Sequence, residues 1–297
     1  MRKAFIQLHL AVFLAGFTGI LGRLITLNEG LIVWYRLLIT CITMWAIYAL
    51  LGRIKKISGR NIIAISLVGF VAALHWVTFY GAIKYANVSV ALVCFSAIGF
   101  FTAILEPLIN RKRVDVNELI LGLLSISGIA LIFHFDAGYK TGIIVGIISA
   151  FLAAIFPIYN KRFLRHTNVE TLLAWQQTGG LVTLSICMPF YLNYFPSVLL
   201  PSLPDLGWLL VLSWLCSVLA FQLVNNSLRR LSAFTVNLTY NLEPVYGILL
   251  AFIVYRENKM LSGWFYAGFS IIMIALIIHV LLVRGKHRRE QHEIVSE

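Results

Sequence analysis

Charge is what this chain has least of. Charged residues make up 12% of its 297 positions, against roughly 25% in a soluble globular domain. Acids are scarcer still, with 12 Asp and Glu against 24 Lys and Arg. So long a chain with so little polar surface cannot stay dispersed in water, and a bilayer removes that requirement. The few acids stand singly along the sequence, whereas a lipid-modifying membrane enzyme needs acidic or histidine residues gathered at an interface loop. That class, and a non-transport membrane module, are the alternatives to the reading below. Cysteine is also sparse. Cys41, Cys94, Cys187 and Cys216 all fall inside apolar runs, without metal-ligand spacing or a disulfide framework, and are expected to be small buried hydrophobes. His292-Glu293 lacks the second histidine of a zinc-binding helix. No glycine-rich loop is present to cradle phosphate, so neither nucleotide, cofactor nor metal is expected.

What the chain has in quantity is apolar sequence, 60% of its residues, with a mean hydropathy of +0.88. A helix needs about 20 mostly apolar residues to cross a core of about 30 Å. The runs predict about ten such helices, at roughly 4–22, 31–51, 62–83, 87–109, 117–134, 141–160, 170–192, 207–227, 233–255 and 262–283. They are continuously apolar and about twice the length of barrel strands, which excludes a β-barrel. The longest connection, near 193–206, holds Pro196, Pro201 and Pro204 and is expected to be extended. The apolar run after Arg2-Lys3 reads as an uncleaved first helix rather than a signal peptide.

The formal charge of +12 would point to nucleic acid in a soluble protein. Here the basic residues sit in short loops and alternate in density from loop to loop. Arg2 and Lys3, Arg53 to Arg60, Arg111 to Arg113, Lys161 to Arg165, Arg229 and Arg230, and the tail from Arg284 fall on one side. Only Arg23, Lys84, Lys140, Arg256 and Lys259 fall on the other, and Arg36 lies within a span. The positive-inside rule then places both termini in the cytoplasm, and the partners expected are a lipid bilayer and a small solute, not nucleic acid.

A shift of about 146 residues brings the two halves into register: Leu74-His75-Trp76 meets Ala220-Phe221-Gln222, Tyr80 meets Asn226, and Gly122 meets Gly268. Five helices per half is an odd number, so the second half enters the membrane upside down. The predicted fold is an all-α polytopic membrane protein of two inverted five-helix repeats, 4–134 and 141–283, with a charged, disordered tail at 284–297. Inverted repeats are a recurring construction of secondary transporters, with the solute site between them near the midplane. Two similar halves can exchange roles and give inward- and outward-open states of nearly equal energy.

Certain residues carry a family resemblance: Trp34-Tyr35-Arg36 in the second span, Leu242-Glu243-Pro244-Val245-Tyr246 in the ninth, Tyr255-Arg256-Glu257 closing it, and Gly268 in the tenth. In their order and spacing the chain resembles the EamA-type permeases of the drug/metabolite transporter superfamily from Phe5 to Val283. The first repeat departs from the pattern: Arg111 is expected in the place of Glu257, and Glu106-Pro107 lies nearer the end of the fourth span. The resemblance implies a secondary transporter of the inner membrane, more often an exporter of small metabolites such as amino acids, and no enzyme.

A charge at a helix centre costs about 2.5–3.5 kcal/mol on insertion scales, so each one needs a reason. Glu243 is expected near the middle of the ninth span as a proton carrier, with Pro244 as a helix hinge. Arg36 is expected either to snorkel to the interface or to bind an anionic group, and pairing with Glu243 would satisfy both charges. His75 lies beside Trp76 and Tyr80 in the third span. Further polar groups gather at Tyr159, at Trp175 and Gln176, and at Gln222 and Asn226. Asn237, Tyr240, Asn241 and Pro244 recur at i, i+3, i+4, i+7 and share one helix face. Together these residues form the predicted solute cavity, lined by spans one to four and six to nine. Helix-to-helix hydrogen bonding is the plainer role for any single one of them.

Overall fold

A computed structural model describes residues 2–111, 113–135, 137–228, 239 and 242–296. Its helices are α1 (Arg2–Leu24), α2 (Glu29–Leu50), α3 (Gly59–Tyr85), α4 (Val88–Phe95), α5 (Ile98–Asn110), α6 (Val116–Phe135), α7 (Lys140–Phe163), α8 (Val169–Tyr194), α9 (Leu203–Ser213), a π-helical stretch Trp214–Leu219, α10 (Ala220–Leu228), α11 (Glu243–Tyr255) and α12 (Gly263–Ser296). Among the described residues there are no strands. Eight helical stretches are long and apolar enough to cross a membrane, two of them compound: Val88–Asn110 and Leu203–Val224. The more polar α8 has 26 residues, and α11 is a shorter apolar helix.

Local chemistry sets the helix starts. Asn28, Ser58, Asn87 and Ser202 each accept a hydrogen bond from a backbone N–H in the first turn of the helix they open, satisfying a donor that has no partner inside the helix. Pro204 therefore does not extend the preceding connection as expected. It occupies the first turn of α9, where its missing N–H costs nothing. The fourth span is not one helix but two, since the chain turns at Ser96 and Ala97. The last helix runs on to Ser296 instead of giving way to a disordered tail, because Lys, Arg and Glu are good helix formers. Cys187 is exposed rather than buried, an ordinary position for a small apolar side chain on a face turned to lipid.

Helix pairing repeats under exchange of the halves. α3 packs along α7 and α8, just as the eighth span packs along α1 and α2. α1 packs on α11, and α7 packs on α4 and α5. Counterparts also pack on each other: α2 on α8, α6 on α12, and α4 on α11. The chain is thus an inverted-repeat polytopic membrane protein.

One register is corrected. Helices α5 and α11 are each 13 residues long, and each ends on an arginine in the left-handed conformation, Arg111 (φ 52°) and Arg256 (φ 53°). Arg111 is therefore the counterpart of Arg256, not of Glu257. A non-glycine residue at positive φ is uncommon, and its recurrence at one place in both repeats fixes the alignment better than weak identity does. The counterpart of Glu257 in sequence becomes Lys112.

Small residues let helices cross closely where there is no hydrophobic drive between them. A Cβ on Gly16 would meet the Glu243 carbonyl oxygen and the Gly247 nitrogen at 3.0 Å, which holds α1 against the start of α11. Gly268 crosses Gly128, and Gly122 lies against Phe100.

Candidate functional site

Arg36 sits about two turns into α2 and is 3% exposed. Its Nε donates to Ser217 Oγ at 2.9 Å and its Nη1 to the Tyr80 hydroxyl at 2.9 Å. The guanidinium carbon stands 4.3 Å from the centroid of the Trp76 ring, a cation–π distance. The side chain therefore turns into the protein and does not snorkel, because two hydroxyls and an indole face replace its hydration there. Ser217 belongs to the π-helical stretch, a local widening often found at functional sites. Tyr80 is fully buried, and its ring occupies space that a Cβ on Gly22 would invade at 2.3 Å. Among the described residues no carboxylate lies within ion-pair distance of Arg36.

Glu243 is half-buried and lies close enough to Arg36 for the two charges to act on each other. They form no direct pair; the hydroxyls of Ser217 and Tyr80 take the Nε and Nη1 of the guanidinium. Glu243 opens α11. Its carboxylate is thus at a helix N-terminus, where the dipole favours negative charge, and Pro244 is in the first turn, where proline is tolerated. Pro244, the expected hinge, thus stands in the first turn of α11.

The other predicted residues divide. Trp76 and Tyr80 join Arg36. His75 is buried against α7, its Nδ1 2.9 Å from Ser149 Oγ and 3.1 Å from the Ser149 carbonyl. Phe79, Phe95 and Phe156 ring it at 5.4–6.1 Å between centroids, which is a packing environment. Replacing Ser149 with Ala is expected to lower stability by about 1 kcal/mol, the net worth of a typical hydrogen bond, while leaving the pH profile of transport unchanged. Thermal unfolding in detergent beside a transport assay checks both. Gln176 accepts from the Asn160 amide at 3.3 Å, Trp175 meets Trp45 edge-on at 5.2 Å, and Tyr159 lies under Arg162 at 5.7 Å. The first two are helix-to-helix contacts, and the third lies within α7. Gln222 is half-buried and Asn226 is exposed. Asn237, Tyr240 and Asn241 lie outside the described residues.

Three buried carboxylates, Glu29, Asp205 and Glu257, were not among the predicted site residues, and Glu29 accepts from the Tyr191 hydroxyl at 2.6 Å. Glu257 is fully buried and pairs with Arg23 at the end of α1. It also accepts from the backbone N–H of Val88 (3.1 Å), the N–H of Ser89 (2.8 Å) and the Ser89 hydroxyl (2.6 Å), which caps α4. Asp205, 2% exposed, accepts from the Thr26 N–H at 2.8 Å and the Thr26 hydroxyl at 2.6 Å. Lys84 donates to the carbonyls of Ile25 and Leu27. The α1–α2 connection is thus tied to the third, eighth and ninth spans at one face of the bundle. A carboxylate at a span end reads in sequence as an interfacial charge, and the signal available was its place in Tyr255-Arg256-Glu257.

A family model described as the EamA-like transporter family matches residues 2–134 and again 140–279. An uncharacterized transporter of Haemophilus influenzae is 26% identical over 162 residues, covering 52% of this chain and 53% of its own length. The uncharacterized transporter YdfC of Bacillus subtilis is 24% identical over 200 residues, 64% of this chain and 65% of its own. The match therefore spans between half and two thirds of these relatives. A protein solved by crystallography shares the fold at a TM-score of 0.63 and 15% identity, over 95% of this chain and 99% of that one.

Proposed function

The chain belongs to the EamA-like transporter family, and from that premise we propose that it is a secondary transporter. It carries a small metabolite, such as an amino acid, out across the bacterial inner membrane by rocking its two repeats about a central site, with both termini cytoplasmic. The observation that carries this reading is the buried guanidinium of Arg36, held by Tyr80, Ser217 and the Trp76 face with no carboxylate partner among the described residues, close to Glu243. A positive charge taken out of water without an ion pair is costly. It is retained where it meets a charge that comes and goes, either the solute or the changing state of Glu243. Glu243 takes up a proton at one face and releases it at the other. The aromatic rings beside Arg36 give the solute an apolar wall.

Proteoliposomes with an imposed pH gradient test the coupling. Wild type is expected to accumulate solute against its gradient when the proton gradient is imposed. Glu243→Gln cannot ionise, and is expected to lose that accumulation while still exchanging solute at equal pH. Accumulation by the variant equal to wild type removes Glu243 from coupling.

A further inference from the structure

The two repeats carry matching arginine contacts at opposite faces of the membrane, and the contacts differ in chemistry. Arg23, in the last turn of α1, reaches the end of α11 in the other repeat and pairs with Glu257. Arg162, in the last turn of α7, reaches the end of α5 in the other repeat. There its Nε donates to Asn110 Oδ1 at 3.0 Å and its Nη2 to the Ile109 carbonyl. Each arginine thus joins the first helix of one repeat to the close of the fourth helix of the other, next to a left-handed arginine. Where the second repeat continues with Glu257, the first continues with Lys112.

The partners are unequal. Glu257 is fully buried, is charged, and accepts three further hydrogen bonds from Val88 and Ser89. That binds α1, α4 and α11 together. Charge-assisted bonds of this kind are roughly twice as strong as neutral ones, and removing one partner of a buried pair leaves the other charge uncompensated. Among the described residues Arg162 meets an amide, a carbonyl and the Tyr159 ring but no carboxylate, and its side chain is exposed. We infer that these are the two latches of alternating access and that their inequality sets the resting orientation. The Glu257 latch holds its face shut more firmly than the Asn110 contact holds the opposite face, so the unloaded carrier rests open on the Arg162 side. With both termini cytoplasmic, that side is the cytoplasm. The inference rests on the rocking motion proposed above and extends it to the energies of the two states.

Spin-label distance measurements on the full chain in nanodiscs test it, with Cys187 replaced by Ala. One pair, at Tyr85 and Asn258, spans the Glu257 face, and the other, at Val114 and Leu164, spans the Arg162 face. All four positions are exposed. Glu257→Gln keeps the shape and removes the charge, and is expected to raise the population open on the Glu257 face by roughly tenfold or more. Asn110→Asp gives Arg162 a charged partner on the opposite face and is expected to move the same population the same way, by roughly threefold, the scale of a part-exposed ion pair. A purely structural role for Glu257 does not make two changes on opposite faces act in one direction. If Glu257→Gln does not fold, Asn110→Asp carries the test alone. Two populations whose ratio neither variant moves overturn the latches and leave alternating access standing. One distance at each face in all three proteins overturns both. Impermeant maleimide labelling of the cysteine at Asn258 in right-side-out vesicles separately fixes which face is outside.

Discussion

Replacing Arg36 with Ala is expected to lower transport by about a hundredfold, equivalent to ~2.8 kcal/mol at 1.4 kcal/mol per decade. Three effects combine. The Tyr80 and Ser217 hydroxyls each lose a charged donor, and hydrogen bonds to charged groups are worth about 1.5–3 kcal/mol. The Trp76 face loses its cation. Glu243 loses the positive charge acting on it. Arg36→Lys is not a rescue, because a compact ammonium cannot bond both hydroxyls and lie flat against an indole. It is expected to lose at least about tenfold of the rate. Initial rates of solute exchange, normalised to protein that elutes as a single folded species, make the measurement. A lysine variant equal to wild type would reduce the site to a simple point charge.

The largest effect on stability is expected where α3 and α8 cross. A Cβ on Gly69 would stand 1.9 Å from the Gln176 carbonyl oxygen, and one on Gly179 would stand 2.2 Å from the Ser66 Cα. Both obstacles are backbone, so no side chain can swing aside, and the helices must separate. Gly69→Ala is expected to destabilise by about 3 kcal/mol or more, the upper end for overpacking. Gly207 in α9 has nothing within 4 Å of the added atom. Gly207→Ala is expected to be neutral or slightly stabilising, since Ala restricts the unfolded chain. Thermal unfolding of the two variants side by side in detergent decides it. Equal midpoints would mean that α3 and α8 do not meet through their backbones.

The spans were legible because apolar length and basic loop asymmetry are strong, redundant signals. Arg36 and Glu243 were legible because an intramembrane charge stands out against any apolar run. What each charge touches was not. Ser217 and Tyr80 lie 181 and 44 residues from Arg36, and nothing local marks the π-helical stretch that presents Ser217. Glu257 was quoted as part of a motif, yet its role depends on Ser89, 168 residues away, and on an arginine at the end of another helix. The repeat register slipped by one residue near Arg111 because sparse identity cannot place a gap, whereas a shared left-handed arginine can. His75 was grouped with the cavity residues in sequence. A hydroxyl and a carbonyl on α7 and three phenylalanine rings account for it as packing.

Counterflow in proteoliposomes tests most directly whether this chain moves a solute through the site at Arg36. Vesicles are loaded with one unlabelled amino acid or metabolite at a time, and uptake of its labelled counterpart is followed for wild type and Arg36→Ala. The result expected is exchange confined to one chemical class of solute, saturable, and lost in the variant. Absence of exchange by folded wild-type protein across a broad panel, or exchange that Arg36→Ala leaves intact, would contradict it.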